Sequence, residues 1–206
     1  LETDVDNKIG DLSIFDKIYS ESFWGDGSGE GSSTEATIPY KHFIEDFINK
    51  NNISSVVDLG CGDWQFSQFI NFKGAKYLGI DASKSIIDIN SSKFSNKKVS
   101  FMHLPDSYEK IPNADLLLCK DVMQHLKIEE IFKISKIFPR YKFCLITNDV
   151  LNASPLGKSI IRILNKQWNL VNHEIETGDY RPLELTKKQF CFKLKKVFEW
   201  RVLPYS

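Results

Sequence analysis

The chain has 206 residues, in which 27 basic side chains balance 27 acidic ones to give a formal net charge of zero. This length is enough for one domain with a full hydrophobic core. Without a basic excess, binding to duplex DNA or bulk RNA is disfavoured. No apolar run approaches the about 20 residues of a membrane helix, so neither nucleic acid nor membrane is expected as a partner.

The N-terminal segment 1–35 is predicted to form a helix followed by a lid. Phe23 and Trp24 precede a stretch rich in glycine and serine, 25–33. Such a stretch alone is typical of a flexible linker. An aromatic pair followed by hinge glycines instead favours a lid that folds over the cofactor pocket. The helix before it is predicted from apolar residues at helical spacing, namely Ile14, Phe15, Ile18 and Tyr19.

A second helix is predicted to begin at residues 37–39, because Pro39 suits the first turn of a helix. Its apolar residues recur every three or four positions, which predicts a stripe that packs into the core. The stripe consists of Tyr40, Phe43, Ile44, Phe47 and Ile48.

An apolar strand over 55–59 runs directly into the turn 60–64, with the sequence Gly-Cys-Gly-Asp-Trp. Glycines in such a turn let backbone N–H groups approach a ligand where a Cβ would block them. A third glycine is missing, and the carboxylate of Asp58 suits an ammonium group better than a diphosphate. The pattern therefore favours a cationic nucleoside that carries an amino acid. A helix after the turn is predicted from Phe66, Phe69 and Ile70.

Asp81 ends a second predicted strand, 76–80. It follows Asp58 by about the twenty residues expected for the acid that binds a ribose in such a unit. A carboxylate there can accept hydrogen bonds from both ribose hydroxyls. The alternative is that Asp81 only caps the helix beginning near Ser83.

Three more strands are predicted over 99–104, 114–119 and 141–147, with helices after the second and fourth strands. Strands that alternate with helices predict a Rossmann-like α/β fold, with a mostly parallel central sheet and helices on both faces. Ligands bind outside the carboxyl ends of such strands. The polar residues expected at that edge are 58–63, Asp81, Asp106, 120–125 and 148–149.

The segment after residue 149 departs from this alternation. A helix is predicted over 155–164, and 197–202 is predicted to close the sheet as an antiparallel strand. Between them, Arg181 is flanked by Tyr180 and Pro182. Its guanidinium could clamp a phosphate, carboxylate or sugar diol, or instead form a structural ion pair.

The four cysteines are scattered, and no pair has the spacing of metal ligands. They are predicted to be reduced thiols in a reducing compartment, which favours a cytoplasmic location. The chain begins with Leu rather than Met, so it is expected to be one domain of a longer protein.

These motifs resemble those of class I S-adenosylmethionine-dependent methyltransferases. Asp58, Gly60, Gly62 and Asp63 match the first family motif, Asp81 the second, and 120–126 the segment after the fourth strand. The resemblance covers 36–150 firmly and implies one methyltransferase domain over 36–206 with S-adenosyl-L-methionine as cofactor. The implied cofactor contacts are Asp58, Gly60, Cys61, Gly62, Asp63, Trp64, Asp81, Ala82, Ser83, Asp106, Ser107, Lys120 and Asp121.

The resemblance implies that a substrate heteroatom attacks the sulfonium methyl group. His125 is then the candidate base, as in similar sugar methyltransferases, although a packing role for this histidine stays open. Asp121 or Asp149 could be the base instead, orient the imidazole, or together hold a divalent cation, which the sequence does not require. Trp24, Tyr180 and Arg181 are the candidate substrate-binding residues.

The acceptor is inferred from three further matches: Phe-Trp-Gly with the lid, Lys-Asp-Val-x-Gln-His, and Gly-x-Tyr-Arg-Pro-Leu. Together they are similar to small methyltransferase domains associated with polysaccharide synthesis, some of them in large DNA viruses and fused to glycosyltransferases. This implies O-methylation of a sugar hydroxyl of a glycan, such as the deoxysugar rhamnose. Methylation of a small metabolite or protein, and a non-catalytic cofactor-binding module, are the alternatives.

Overall fold

The computed structural model describes residues 8–25, 27–150 and 171–200. Five parallel strands form one sheet in the order β3-β2-β1-β4-β5. This topology confirms the Rossmann-like α/β prediction. The strands are β1 (Ser55–Leu59), β2 (Lys76–Asp81), β3 (Val99–His103), β4 (Leu116–Lys120) and β5 (Phe143–Thr147). The α-helices are α1 (Ile14–Ser20), α2 (Ile38–Lys50), α3 (Lys84–Phe94) and α4 (Ile128–Ser135).

The two central strands, β1 and β4, have apolar side chains on both faces, as strands covered by helices on both sides do. Because side chains alternate along a strand, Val56 and Leu116 pack on one side of the sheet, and Val57 and Leu117 on the other. Helix α2 covers the first side through Tyr40, Ile44 and Ile48. Helices α1 and α4 cover the second through Phe15, Ile18, Ile131 and Ile134. The predicted core stripe of the second helix is therefore confirmed.

The prediction of a helix directly after the glycine turn is wrong. A 3₁₀ turn over Ser67–Phe69 takes its place, and the side chain of Phe69 is 54% exposed. Trp64, which comes just before this segment, has a φ of +58°, so no right-handed helix runs on directly from the glycine turn. Its indole is buried against Tyr77, Phe94 and Phe101.

The closing strand predicted over 197–202 is not formed by its described part, since residues 197–200 have no strand pairing. Phe198 instead stacks on Phe43 of α2 with ring centroids 4.4 Å apart. The Trp200 indole donates a 3.1 Å hydrogen bond to the carbonyl of Ala36. The helix predicted over 155–164 and residues 201–202 lie outside the described residues. Within the described ranges, no helix has the length and apolar character needed to cross a membrane.

Candidate functional site

A cleft of about 310 Å³ opens at the carboxyl ends of the strands. It lies where the strand order reverses between β1 and β4, the position at which open α/β sheets bind ligands. Most of the predicted site residues meet in this cleft. Those that line it are Trp24, Asp58, Gly60, Cys61, Gly62, Asp81, Ala82, Lys120, Asp121 and His125.

The glycine turn is held in place by the neighbouring strand, because the N–H groups of Gly60 and Cys61 both donate to the carbonyl of Ile80, at 2.7 and 3.1 Å. Gly60 has a φ of +77°, and a Cβ there would lie 2.2 Å from Cγ2 of Val122. Only glycine lets the turn pass this close to the segment after β4.

Asp58 is a buried acid in the wall of the cleft, with 6% of its surface exposed. Its Oδ2 accepts a 2.6 Å hydrogen bond from the hydroxyl of Tyr77. Burial raises the pKa of Asp58 to about 6, although the Tyr77 hydrogen bond and the charge of Lys120 oppose the rise. A cation that entered the cleft beside Asp58 would favour the ionised carboxylate.

Asp81 ties the glycine turn to the start of α3. Its two oxygens accept 2.9 Å hydrogen bonds from the N–H groups of Gly62 and Ser83. Burial raises the pKa of Asp81 although these hydrogen bonds lower it. Ser83 is the N-cap of α3 and lies outside the cleft wall, so it supports Asp81 from behind.

The glycine-serine segment, which the sequence predicts to be a lid, contributes Ser28, Gly29, Gly31 and Ser32 to the wall of the cleft. The Ser28 hydroxyl donates a 2.8 Å hydrogen bond to Asp63, and the N–H of Asp63 donates back to that hydroxyl at 3.1 Å. Lys120 donates a 3.0 Å hydrogen bond to the carbonyl of Gly31. The lid is thus fastened both to the glycine turn and to the end of β4.

His125 lies on a 3₁₀ turn, Met123–His125, that follows β4. Its Nδ1 is 2.8 Å from the carbonyl oxygen of Asp179, which can only accept, so Nδ1 carries the proton and Nε2 the lone pair. The indole of Trp24 lies 4.9 Å from the imidazole between ring centroids, and the ring of Tyr180 lies at 6.0 Å. Burial lowers the pKa of His125.

Two other catalytic candidates are engaged elsewhere. Asp121 lines the cleft, but its carboxylate accepts a 2.6 Å hydrogen bond from Lys120. Asp149 is exposed, lies outside the cleft wall and accepts a hydrogen bond from the Tyr180 hydroxyl. Among the described residues, no group of three or more histidine, cysteine or acidic side chains could hold a metal ion. The geometry therefore favours His125 over either acid as the base.

Several residues predicted to bind cofactor do not reach the cleft. Asp106 is exposed and paired with Lys110 at 2.7 Å, and Ser107 caps a 3₁₀ turn. Trp64 is buried in the core, and Asp63 holds the lid. These positions follow from their place in the chain, but none of the four side chains lines the cleft.

Arg181 is not exposed at all, although it was predicted to bind substrate. Its Nη2 donates to the backbone carbonyls of Met123 and Leu126, at 3.4 and 2.7 Å. It therefore lies behind the turn that carries His125 and, in this conformation, cannot touch a substrate. Trp24 is half-buried in the cleft wall, whereas Tyr180 is exposed and lies outside that wall, with its ring 6.0 Å from the imidazole of His125.

Sequence reasoning missed other residues of the site. Tyr77 supports Asp58. Gln124 belongs to the segment 120–125 expected at this edge but was assigned no role; it lines the cleft, and its Oε1 accepts a 2.6 Å hydrogen bond from the N–H of Asp149. The sequence identifies Tyr77 only as a strand residue, because its partner depends on the register of β2 against β1. Apolar side chains also form part of the wall, namely Leu12, Phe15, Leu104, Tyr108, Leu126 and Ile134.

No protein-family model matches the chain. The chain is 25% identical over 164 residues to the ubiquinone biosynthesis O-methyltransferases of two strains of Rickettsia bellii, a match that covers 76% of this chain. The match spans 62% of the length of these relatives.

Among solved structures, the chain is similar to magnesium protoporphyrin IX methyltransferase from Synechocystis PCC 6803 with bound S-adenosylhomocysteine. The identity is 18% and the TM-score 0.49, over 77% of this chain and 80% of that one. A putative sarcosine dimethylglycine methyltransferase from Galdieria sulphuraria is 13% identical with a TM-score of 0.47, over 66% of this chain and 57% of that one.

Proposed function

We propose that this chain is an S-adenosylmethionine-dependent methyltransferase that acts on a hydroxyl group. One observation carries the proposal: Asp58, the glycine turn and Asp81 meet in a single cleft that also contains His125. The similarity to ubiquinone biosynthesis O-methyltransferases supports the same reaction class.

The donor set of the cleft fits the cofactor. S-adenosylmethionine carries an ammonium group, a ribose diol and a sulfonium cation, and the cleft contains two buried acids and a glycine turn. Asp58 would bind the ammonium group, and Asp81 would bind the ribose hydroxyls. When bound, the cofactor supplies an electrophilic methyl group.

His125 would remove the proton of the acceptor hydroxyl. A neutral hydroxyl is a poor nucleophile, so a base near it speeds the transfer. The hydrogen bond from Nδ1 to the carbonyl of Asp179 leaves Nε2 free to take the proton, apart from a 3.4 Å contact with the Gln124 amide. The low pKa of His125 keeps the imidazole neutral at physiological pH, because burial disfavours its charged form.

Alignment of the acceptor with the cofactor methyl group would supply much of the remaining rate enhancement. Holding the acceptor oxygen and the methyl group in line contributes about 7–11 kcal/mol in well-oriented reactions. The rings of Trp24 and Tyr180 lie 4.9 and 6.0 Å from the imidazole of His125, where they would orient an acceptor ring, and the predicted lid would exclude water.

For the acceptor, we propose a sugar hydroxyl of a glycan, such as a rhamnose-like deoxysugar. Aromatic rings beside His125 support it, because sugar rings stack on such faces, and so do the sequence motifs shared with polysaccharide-modifying domains. A second candidate is the phenolic hydroxyl of a small aromatic metabolite. The similarity to ubiquinone biosynthesis O-methyltransferases favours that candidate.

A single experiment separates the two candidates. The protein is incubated with methyl-labelled S-adenosylmethionine and a panel of glycans, nucleotide sugars and catechol-type phenols, and the products are identified by mass spectrometry. Label in a saccharide supports the glycan acceptor, and label in the phenols alone supports the second candidate. If His125→Gln transferred label as fast as the wild type, His125 would not be the base.

A further inference from the structure

Arg181 is a buried cation without a carboxylate partner in the described part of the chain. Its side chain is 0% exposed, and its Nε and Nη1 have no hydrogen-bond partner there. The charge of Glu174 raises the pKa of Arg181, against the effect of burial. The Glu174 carboxylate itself, however, accepts a 3.0 Å hydrogen bond from the N–H of Ile128. Burying a charge in this way is costly, and an apolar side chain of similar volume is often as stable or more stable. Stability alone therefore does not account for an arginine here.

Within the described residues, the hydrogen bonds of Arg181 go to the turn of His125. Its Nη2 donates to the carbonyls of Met123 and Leu126, which lie on either side of His125 in sequence. Its backbone N–H donates to the carbonyl of Gln124 at 3.2 Å. A guanidinium can reach two carbonyls at once because its N–H groups are held in one rigid plane.

Arg181 also ends the short segment that orients the imidazole. The N–H of Gly178 donates to the carbonyl of His125 at 2.9 Å, and the carbonyl of Asp179 accepts the proton on Nδ1 at 2.8 Å. The segment 178–181 and the turn 123–126 are therefore joined on both sides of the imidazole. If the guanidinium were lost, the carbonyl of Leu126 would lose its 2.7 Å donor, whereas that of Met123 would keep the N–H of Leu126 at 3.3 Å, and the turn would be held less firmly.

We propose that Arg181 is a positioning residue, whose guanidinium holds the turn of His125 so that the Nε2 lone pair faces the cleft. This role rests on the proposed function. It differs from the substrate clamp expected from the sequence, because Arg181 acts through His125 rather than on the acceptor.

The charge of Arg181 supports the same role. It lowers the pKa of His125 in the same direction as burial, while the Asp179 hydrogen bond and the charge of Asp121 raise it. Tyr180 also faces the imidazole, with its hydroxyl bound to Asp149. A base must be unprotonated to work, so the guanidinium extends the pH range over which His125 is active.

The test compares Arg181→Met, which removes both the charge and the planar N–H donors of the guanidinium, with Arg181→Lys, which keeps only the charge. Arg140→Met is the matched control, because the Arg140 guanidinium also donates to backbone carbonyls, those of Glu109 and Ile111, but lies outside the cleft wall. Nitrogen-15 NMR of the ligand-free protein reads the pKa and tautomer of His125 directly, with His125→Gln identifying its signals. This readout does not depend on any acceptor.

In Arg181→Met, we expect the pKa of His125 to rise and its preference for the Nδ1-protonated tautomer to weaken. The rate of methyl transfer should fall by about tenfold or more with cofactor affinity nearly unchanged, and the acid limb of its pH profile should move to higher pH. In Arg181→Lys, the rate should fall without that movement. Arg140→Met should change neither the pKa nor the pH profile.

A wild-type pKa and tautomer in Arg181→Met would overturn the proposal. If that variant does not fold, Arg181→Lys decides, because an unchanged rate and tautomer there would also overturn it. A wild-type protein that binds cofactor but methylates no acceptor would refute the proposed function, whereas the NMR result would still test the positioning of His125.

Discussion

The hydroxyl of Tyr77 on β2 donates a 2.6 Å hydrogen bond to Oδ2 of Asp58 on β1, and both side chains are buried. Gly79, the register partner of Asp58, carries no side chain between them. A Cβ there would lie 2.7 Å from the ring of Phe101 and 2.9 Å from Sγ of Cys61. The acid that we expect to bind the cofactor ammonium group is therefore oriented by a neighbouring strand.

This pair predicts that cofactor affinity depends on pH. The pKa of Asp58 is about 6 in the ligand-free protein, so below that pH it is protonated and attracts a cation less. We expect S-adenosylmethionine to bind about tenfold more weakly near pH 5 than near pH 7, because one pH unit below a pKa leaves about a tenth of the group ionised. Calorimetry in buffers of different ionisation enthalpy should also detect proton release on binding near pH 6. Asp58→Asn should bind weakly with no such proton release.

The raised pKa of Asp58 also makes the free energy of unfolding depend on pH. Asp58 binds a proton more tightly in the folded protein than at its ordinary value of 3.8. Its contribution to the free energy of unfolding is therefore fully present below about pH 4 and is lost as the pH rises through about 6. Denaturant unfolding of Asp58→Asn and wild type at several pH values measures this contribution of Asp58 to the free energy of unfolding. A difference that does not change with pH would show that Asp58 is not perturbed.

Removing the hydroxyl of Tyr77 tests its support of Asp58. Tyr77→Phe keeps the ring packing but leaves Oδ2 without its donor. Since hydrogen bonds to charged groups are worth about 1.5–3 kcal/mol, we expect cofactor affinity at neutral pH to fall by about tenfold and the pH dependence to move upward. Tyr141→Phe is the control, because its hydroxyl binds the carbonyl of Pro112 outside the cleft wall. Equal affinities for Tyr77→Phe and wild type would refute this role.

The lid contact is tested at Gly62. A Cβ at Gly62 would lie 2.2 Å from the Ser28 hydroxyl and 3.1 Å from that of Tyr19, which fasten the lid. Gly74→Ala is the matched control for Gly62→Ala, because Gly74 also has a positive φ but no atom lies within 4 Å of its Cβ position. Both variants carry the backbone strain of about 1 kcal/mol, so only Gly62→Ala should also lose cofactor binding. Thermal unfolding and calorimetry measure the two effects, and normal binding by Gly62→Ala would contradict the closed lid.

His125→Gln should lower kcat by about a hundredfold or more while cofactor affinity stays within a few-fold of wild type. This follows because the imidazole serves the acceptor hydroxyl rather than the cofactor. His42→Gln is the control, since His42 is exposed on α2 outside the cleft wall. Methyl-transfer kinetics and calorimetry are compared for both variants. A parallel loss of binding and rate in His125→Gln would assign this histidine to cofactor binding instead.

The fold could largely be predicted because its signals are local. The apolar runs of β1 and β4 and the helical stripe of α2 each follow from residues close in sequence. The missing helix after the glycine turn could not, because Trp64 is drawn into the core by aromatic partners from β2, α3 and β3. Local periodicity does not report such distant packing.

The position of a predicted site residue could be inferred where that residue ends a strand. Asp58 and Asp81 lie in the cleft because parallel strands bring their carboxyl ends to one edge. Asp106 lies outside the cleft wall because a loop side chain is free to turn to a lysine four residues further along. Arg181 was misjudged because its burial depends on how 178–181 folds against the turn of His125, which spacing along the chain does not encode.

The binding of S-adenosylhomocysteine, measured by calorimetry on wild type, Asp81→Asn and Asp106→Asn, tests the cofactor site most directly. We expect saturable binding of one ligand per chain, weakened about tenfold or more in Asp81→Asn because charge-assisted hydrogen bonds are lost, and unchanged in Asp106→Asn. No saturable heat with the wild type, or equal affinity in Asp81→Asn, would contradict a cofactor site formed by the glycine turn and Asp81.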